Sequence, residues 1–279
     1  MTWLDEAVDL LSHGDHAECQ LGHESHRFSL VPVDLRKSHL HVPDFPEIKD
    51  EITFHMPAGT QATLNLTEPG YCPERGEVSR SIRAQGTWEG FDTALVVQIL
   101  RNRPGLVIDF GANLGWYTYI AGRLGHHVLS VEADAVIAEQ LTNGINYNEI
   151  ENWWLARGWI GPDTPELPVE GAPHVALIKS DMEGAEPEMF RVCDQLLEDG
   201  LVDYVLFELT PGWADYEPSV ERVKSYGYEL YIVPDKGYNT ASFSQDPLAC
   251  TKRQPLLHPV SKIGPGIQLM GLFVRKDLV

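Results

Sequence analysis

The chain has 279 residues, of which 43% are hydrophobic and 22% charged, and its formal net charge is -20. This length is enough for one large α/β domain with an extension. We do not expect nucleic acid as a partner, because affinity for a phosphate backbone comes mainly from Lys and Arg.

The composition also bears on compartment and redox state. There is no apolar run of membrane-span length and no basic-then-apolar leader, so we expect a cytoplasmic protein that does not bind a membrane. The four cysteines are far apart and form no C-x-x-C pair: Cys19, Cys72, Cys193 and Cys250. We expect them to be reduced thiols rather than ligands of a metal.

We expect residues 1–85 to form an N-terminal extension or cap with short strands, ahead of a domain at residues 86–279. Helical spacing of three apolar residues predicts a short helix at the start: Leu4, Val8 and Leu11. Apolar stretches between Pro and Gly predict two strands of a small antiparallel sheet, at Ile52–Phe54 and Ala62–Leu66.

Two features of this extension have competing interpretations. Six histidines are concentrated in its first 41 residues: His13, His16, His23, His26, His39 and His41. No pair has the carboxylate-supported helical spacing of a zinc motif, so surface and turn histidines explain them better than a metal site does. The charged segment Tyr71–Arg83 is either a mobile lid or an ordinary loop.

A helix with apolar residues at helical period follows Gly86–Glu89. Glu89 therefore falls near the N-terminus of this helix. Its carboxylate either reaches a ligand or is there because the helix dipole favours an acid in the first turn.

The most informative stretch is a strand, a glycine turn and a helix. Leu106–Phe110 is a short apolar run typical of a strand buried on both faces of a parallel sheet. Gly111 and Gly115 follow, and glycine lets a ligand approach the backbone closely. The turn lacks the G-x-G-x-x-G pattern of dinucleotide-binding folds. Apolar spacing predicts a helix next, through Leu114, Tyr117, Ala121 and Leu124, with Gly125 as its C-terminal cap.

A second strand at His127–Val131 ends at Glu132. In a doubly wound sheet, an acid at this point can accept hydrogen bonds from ribose hydroxyls. Beyond it, period and composition predict a helix through Ile137, Leu141 and Ile145, and strands at Asn152–Ile160 and Val175–Asp181. One helix with Met189, Val192, Cys193, Leu196 and Leu197 follows and ends at Gly200. The last predicted elements are a strand at Val202–Leu209, a helix at Ser219–Tyr226, and strands at Tyr228–Val233 and Ile267–Val274. In the Pro-rich segment Gly161–Pro173, the usual crossover helix is predicted to be missing or very short.

Three motifs together resemble one protein family: D-x-G-x-N-x-G at Asp109–Gly115, Val-Glu-Ala at Val131–Ala133, and I-K-x-D-x-E-G-A-E at Ile178–Glu186. They resemble the FkbM-type family of class I S-adenosylmethionine (AdoMet)-dependent methyltransferases, and the resemblance spans about Gly86 to Phe207. It implies an α/β fold with a doubly wound, seven-stranded, mostly parallel, Rossmann-like sheet, and AdoMet as the cofactor.

The resemblance also implies a site. Asp109 would face the methionine end of the cofactor, the turn would contact it by backbone, and Glu132 would hold the ribose. The expected cofactor-binding residues are Glu89, Asp109, Gly111, Ala112, Asn113, Gly115, Tyr117, Glu132, Ala133, Trp159, Ile160 and Asp181. The expected catalytic residues are Asp181, Glu183 and Glu208. Trp159 or Ile160 would flank the adenine, although strand aromatics are more often part of a core.

The implied activity is O-methylation of a hydroxyl or carboxylate on a small molecule, such as a natural product or sugar. N-methylation of a small amine and a non-catalytic binding module are the alternatives. A nicotinamide-dependent oxidoreductase is disfavoured by the missing third glycine. We expect no dedicated metal site, because no repeated carboxylate spacing marks one, and a homodimer is left open.

Overall fold

The computed structural model describes residues 2–12, 51–55, 61–65, 78, 88–210, 213–233 and 269–278. The strands in chain order are β1 Glu51–His55, β2 Gln61–Asn65, β3 Leu106–Phe110, β4 Val128–Glu132, β5 Trp153–Arg157, β6 Val175–Ser180, β7 Val202–Leu209, β8 Tyr228–Val233 and β9 Leu269–Arg275. The helices are α1 Trp3–Ser12, α2 Gly90–Asn102, α3 Trp116–Arg123, α4 Ala135–Tyr147, α5 Glu186–Val192, α6 Asp194–Glu198 and α7 Glu217–Ser225, and a 3-10 turn covers Lys276–Leu278.

Seven strands form one mixed sheet in the order β5-β4-β3-β6-β7-β9-β8. The first five run parallel, and β9 is antiparallel to both of its neighbours. Every residue of β3 and β6 is buried, as their apolar sequences require for strands covered on both faces. The predicted fold class, a doubly wound and mostly parallel seven-stranded sheet, is confirmed.

Helices cover both faces of this sheet. α2, α3 and α4 pack with one set of strand side chains. α1, α5, α6 and α7 pack with the other set. The chain runs from β3 through β4 to β5 at one edge and then returns to place β6 on the other side of β3. A topological switch point therefore lies between the carboxyl ends of β3 and β6.

The crossover from β5 to β6 has no helix of its own: residues 158–174 are all described and contain none, as predicted. Instead α1 lies on that face of the sheet, against β4 and β5. Ala7 and Leu11 are fully buried there, and the Trp3 indole Nε1 donates to the Pro168 carbonyl at 2.7 Å. The predicted N-terminal helix is confirmed, and it occupies the layer that the crossover leaves uncovered.

Several predicted boundaries were wrong. The third strand of the domain ends at Arg157, before Trp159, because the next residues form a turn in which Gly161 N donates to the Thr164 hydroxyl at 2.9 Å. The helix after β3 begins at Trp116 and does not include Leu114.

The single helix that was predicted to contain both Met189 and Leu197 is two helices, which are separated at Cys193. The Val192 carbonyl, which would continue the helical ladder, instead accepts from Leu167 N at 2.8 Å. Cys193 is a free, buried cysteine, and burial raises the pKa of its thiol.

The other predictions for the extension divide into two groups. β1 and β2 pair antiparallel as predicted, with Thr53 opposite Thr63, and β2 lies against α4. The six N-terminal histidines, three of the cysteines and all of 71–83 except residue 78 lie outside the described residues. None of the described helices is long and apolar enough to cross a membrane.

Candidate functional site

The glycine turn after β3 packs directly on the end of β6. Gly111 has a φ of +71°, and a Cβ built on it would lie 1.9 Å from the Asp181 carbonyl oxygen. On the other side of this contact, Asp181 N donates to the Phe110 carbonyl at 3.0 Å. Only glycine fits at Gly111, and the two strand ends flanking the switch point are held together by backbone contacts.

The turn is also tied to Glu132, the last residue of β4. Asn113, at a φ of +51°, donates its backbone N–H to Glu132 Oε2 at 2.8 Å. Asp134 N donates to Glu132 Oε1 at 2.8 Å. Ala112 is 5% exposed and Ala133 is partly buried. The Glu132 carboxylate is therefore oriented at the carboxyl edge of the sheet by two backbone donors.

Gly115 ends the turn and starts α3. It has a φ of +89°, and a Cβ on it would lie 2.3 Å from Leu141 Cδ1 of α4. Here glycine is required by the packing of α4 as well as by the backbone angle, so this position shapes the turn without itself being exposed to a ligand.

Asp109 lies at the end of β3 but is only 1% exposed. The Thr118 hydroxyl donates to its Oδ2 at 2.7 Å and also lies 2.7 Å from the Ser130 hydroxyl, which accepts from Trp153 Nε1 at 2.9 Å. A hydroxyl has one proton to donate, and that of Thr118 goes to Asp109, so the Ser130 hydroxyl must be the donor to Thr118. The chain of hydrogen bonds therefore ends at the Asp109 carboxylate. Desolvation raises the pKa of Asp109, and the charge of Lys179 and the bond from Thr118 oppose that rise.

Glu89 immediately precedes α2 and has a φ of +40°. Its Oε2 accepts from the Tyr117 hydroxyl of α3 at 2.7 Å. Tyr117 is 5% exposed, and burial followed by the charge of Glu89 raises the pKa of its phenol. The structure thus joins two residues, 28 positions apart, that were expected separately to touch the cofactor.

Lys179 was not predicted to belong to the site. It sits in β6, is 2% exposed, and its Nζ lies 3.2 Å from Asp181 Oδ2 and 5.0 Å from the centroid of the Tyr117 ring. The sequence did contain a signal for it: in a strand, positions 177, 179 and 181 share a face, and a lysine is an unusual residue in an otherwise apolar strand.

The segment after Asp181 is shaped by a buried acid. Glu186, fully buried at the start of α5, accepts from Met182 N at 2.7 Å, from Gly184 N at 3.1 Å and from the Tyr216 hydroxyl at 2.9 Å. Desolvation raises the pKa of Glu186. Glu183 is exposed at the tip of this turn, with a φ of +55°. The turn therefore presents Glu183 while Glu186 holds the backbone behind it.

The remaining predicted residues lie further from this turn. Glu208 is 1% exposed near the end of β7, and the Thr210 hydroxyl donates to its Oε1 at 3.3 Å. Ile160 is 2% exposed and Trp159 is partly buried, both in the segment after β5. His174 precedes β6 at the opposite edge of the sheet, where its Nε2 lies 3.0 Å from Asp203 Oδ1.

Among the residues described, no three His, Cys, Asp or Glu side chains are grouped so that they could hold a metal ion. What the carboxyl edge offers is a set of oriented carboxylates, at Glu89, Glu132 and Asp181, beside a glycine turn. This arrangement suits a ligand with hydroxyl and cationic groups.

No family model matches this chain, and no curated protein is similar to it in sequence. Solved structures do resemble it. A TehB-like SAM-dependent methyltransferase from Corynebacterium glutamicum is 14% identical with a TM-score of 0.42, over 75% of this chain and 100% of that one.

Two further solved structures have similar values. The O-methyltransferase TomG from Streptomyces achromogenes, in complex with SAM, is 11% identical with a TM-score of 0.41, over 75% of this chain and 91% of that one. A precorrin-6y C5,15-methyltransferase from Geobacter metallireducens is 13% identical with a TM-score of 0.40, over 65% and 87%. The fold assignment itself rests on the strand order and directions given above.

Proposed function

We propose that this chain is an AdoMet-dependent methyltransferase of the FkbM type, with the catalytic domain at residues 86–279 and an extension at residues 1–85. It transfers the methyl group in line to a hydroxyl or carboxylate of a small molecule. The observation that carries this proposal is the pair of backbone donors, from Asn113 and Asp134, that orient the Glu132 carboxylate beside the switch point.

Glu132 is well suited to a ribose. A carboxylate has about four lone-pair positions with which to accept hydrogen bonds, and its geometry matches two neighbouring hydroxyls. In open α/β sheets, ligands bind in the crevice at the carboxyl ends of the strands, at the switch point. The Gly111–Gly115 turn follows β3, which lies between β4 and β6 in the sheet, so the turn separates Glu132 from that crevice.

The charge of the edge favours AdoMet over a dinucleotide. The side chains of Glu89, Glu132 and Asp181 are acids, and the Lys179 ammonium is 2% exposed. A pyrophosphate would be repelled by these acids, whereas the sulfonium and the amino group of AdoMet are both cationic. Asp181, at 28% exposure, is the acid best placed to accept from that amino group.

When bound, AdoMet would supply a methyl group that is already activated by its positive sulfur. The residues of the chain then have to hold and align the reactants, which can supply about 7–11 kcal/mol of barrier reduction. A positioned base adds roughly 10²–10⁴-fold. Of the three predicted catalytic acids, Glu183 is the exposed one, and we assign to it the acceptance of the proton from the substrate hydroxyl.

The proposal is tested by the melting temperature of the full chain with S-adenosylhomocysteine, AdoMet, NAD⁺ or buffer alone. We expect stabilisation by the first two ligands only. A ligand at 100 times its dissociation constant adds about 2.7 kcal/mol to the free energy of unfolding. Stabilisation by NAD⁺ alone, or by none of the three, would overturn the proposal.

Turnover separates an enzyme from a binding module of the same fold. Purified chain with radiolabelled AdoMet is incubated with panels of hydroxylated, carboxylated and amine acceptors. Labelled product from the hydroxyl or carboxyl panels supports the proposed activity. Product from the amine panel alone would make the chain an N-methyltransferase, and binding without any product would favour the non-catalytic module.

A further inference from the structure

Lys179 is a charged residue in the interior of the sheet. It lies in β6 with Asp109 of β3 and Leu206 of β7 as its strand neighbours, and it is 2% exposed. Lysine is almost never fully buried unless it is paired, because removing an ammonium from water costs several kcal/mol. Its retention at this position therefore has to be explained by what surrounds it.

Three carboxylates and one aromatic ring surround the ammonium. Asp181 Oδ2 is 3.2 Å from Nζ, and the Tyr117 ring centroid is 5.0 Å away. Burial alone would lower the pKa of Lys179, but the charges of Asp181, Glu89 and Asp109 outweigh burial and raise it. The ammonium stays protonated and offsets part of the negative charge of these carboxylates.

These neighbours also restrict the movement of the lysine. Tyr117 donates a 2.7 Å hydrogen bond to Glu89, which favours the position of its ring beside the ammonium. Asp181 is two residues from Lys179, and the period of a strand puts both side chains on one face. Asp181 differs from Asp109, which is 1% exposed, because 28% of its side chain is exposed at the carboxyl edge.

We infer that Lys179 is a positioning residue of the cofactor site: its ammonium orients the Asp181 carboxylate to accept a hydrogen bond from the amino group at the cofactor's methionine end. This inference rests on the proposed function. Lys179 does not touch the ligand, and it acts through Asp181. The pair therefore recognises the ammonium of the ligand and not its adenosine.

The test compares two ligands that differ at that end. S-adenosylhomocysteine carries the α-amino and carboxyl groups of the amino-acid end, whereas 5′-methylthioadenosine has the same adenosine and a thioether but lacks both of these groups. Calorimetry measures both dissociation constants for the wild-type chain, Lys179→Met, Asp181→Asn, Lys179→Met/Asp181→Asn and Lys179→Arg. Lys224→Met removes a charge of the same sign from α7, where Lys224 pairs with Glu221 at 2.9 Å, and serves as the control.

We expect Lys179→Met and Asp181→Asn each to weaken S-adenosylhomocysteine about tenfold or more, as loss of a charge-assisted hydrogen bond does. The affinity for 5′-methylthioadenosine should stay unchanged. The double variant should bind no more weakly than Asp181→Asn, because coupled residues are not additive. Lys179→Arg should recover most of the affinity, and Lys224→Met should match the wild type.

Three results would overturn the inference: unchanged S-adenosylhomocysteine affinity in Lys179→Met, an equal loss for both ligands, or additive losses in the double variant. If Lys179→Met does not fold, the affinity of the double variant for S-adenosylhomocysteine is compared with that of Asp181→Asn. A further loss of affinity for S-adenosylhomocysteine alone in the double variant would also overturn the inference. A wild-type chain that binds neither ligand would instead contradict the proposed function.

Discussion

Gly111 and Asp181 are in such close contact that a Cβ on Gly111 would lie 1.9 Å from the Asp181 carbonyl oxygen. The obstacle is backbone, which cannot rotate away as a side chain can. This contact joins β3 to the end of β6 and thereby sets the floor of the switch-point crevice. Glycine at this position is a requirement of the fold as well as of ligand access.

Gly111→Ala should therefore destabilise the chain by more than its backbone angle alone explains. A left-handed residue with a Cβ costs about 1–2 kcal/mol. Gly125→Ala is the matched control, because Gly125 has a φ of +88° and nothing within 4 Å of its Cβ position. Urea unfolding should give a clearly larger loss for Gly111→Ala than for Gly125→Ala. Equal losses would mean that the turn and Asp181 separate easily.

Glu132→Gln should weaken the binding of S-adenosylhomocysteine and of 5′-methylthioadenosine alike, since both contain the ribose. The amide also presents an NH₂ group where the carboxylate accepts from Asn113 N or Asp134 N. Hydrogen bonds to a charged group contribute about 1.5–3 kcal/mol, so the affinity should fall roughly tenfold to a hundredfold. The control is Glu151→Gln, at an exposed position. Wild-type affinity in Glu132→Gln would contradict its assignment to the ribose.

Much of the sheet follows from local sequence. The predicted bounds of β3, β7 and β8 agree with the structure. Each strand is a short, mostly apolar run with Gly or Pro close to its end, and this pattern marks where the strand stops. The turn residues were found for the same reason, since Gly111 and Gly115 occupy backbone angles that other residues avoid.

What the sequence did not predict depends on distant partners. Apolar spacing predicts α1, but not that it covers β5, because Trp3 and Pro168 are 165 positions apart. The break at Cys193 arises from Leu167, which takes the carbonyl of Val192. Lys179 looks like an isolated lysine until the fold brings carboxylates from other segments around it.

Asp109→Asn should change how stability depends on pH. The pKa of Asp109 is raised above its ordinary value of 3.8 by burial, so the folded chain keeps this proton to a higher pH than the unfolded chain does. Between pH 3.8 and the raised pKa of the folded chain, rising pH therefore lowers the free energy of unfolding. The loss of stability levels off once Asp109 is ionised in the folded chain. Asparagine keeps an acceptor for Thr118 and does not ionise.

The measurement is urea unfolding of both proteins at a series of pH values. The difference in unfolding free energy should move in favour of Asp109→Asn as the pH rises above 3.8. Asp199→Asn, at the exposed C-terminal cap of α6, is the control and should follow the wild type. If the difference in unfolding free energy is the same at every pH, burial does not raise the pKa of Asp109.

Leu11→Ala should destabilise the chain, because Leu11 is fully buried between α1 and the sheet. Truncating a buried leucine costs about 2–5 kcal/mol. Leu10→Ala, one residue earlier and only partly buried, is the control and should cost much less. If the two variants unfold at the same urea concentration, α1 does not stabilise the crossover layer of the sheet.

Glu183→Gln should separate catalysis from binding. Glu183 is exposed at the tip of its turn, and the backbone N–H groups of Met182 and Gly184 donate to Glu186, so Glu183→Gln keeps these two hydrogen bonds of the turn. If Glu183 accepts the proton from a substrate hydroxyl, turnover should fall about 10²–10⁴-fold. The affinity for S-adenosylhomocysteine should not change, because Glu183 contributes nothing to the assigned cofactor contacts.

Glu188→Gln, on α5 and paired with Arg191 at 2.8 Å, removes a nearby charge and is the control. Turnover that is unchanged in Glu183→Gln would show that another group accepts the proton, and Asp181 and Glu208 would then be the residues to replace.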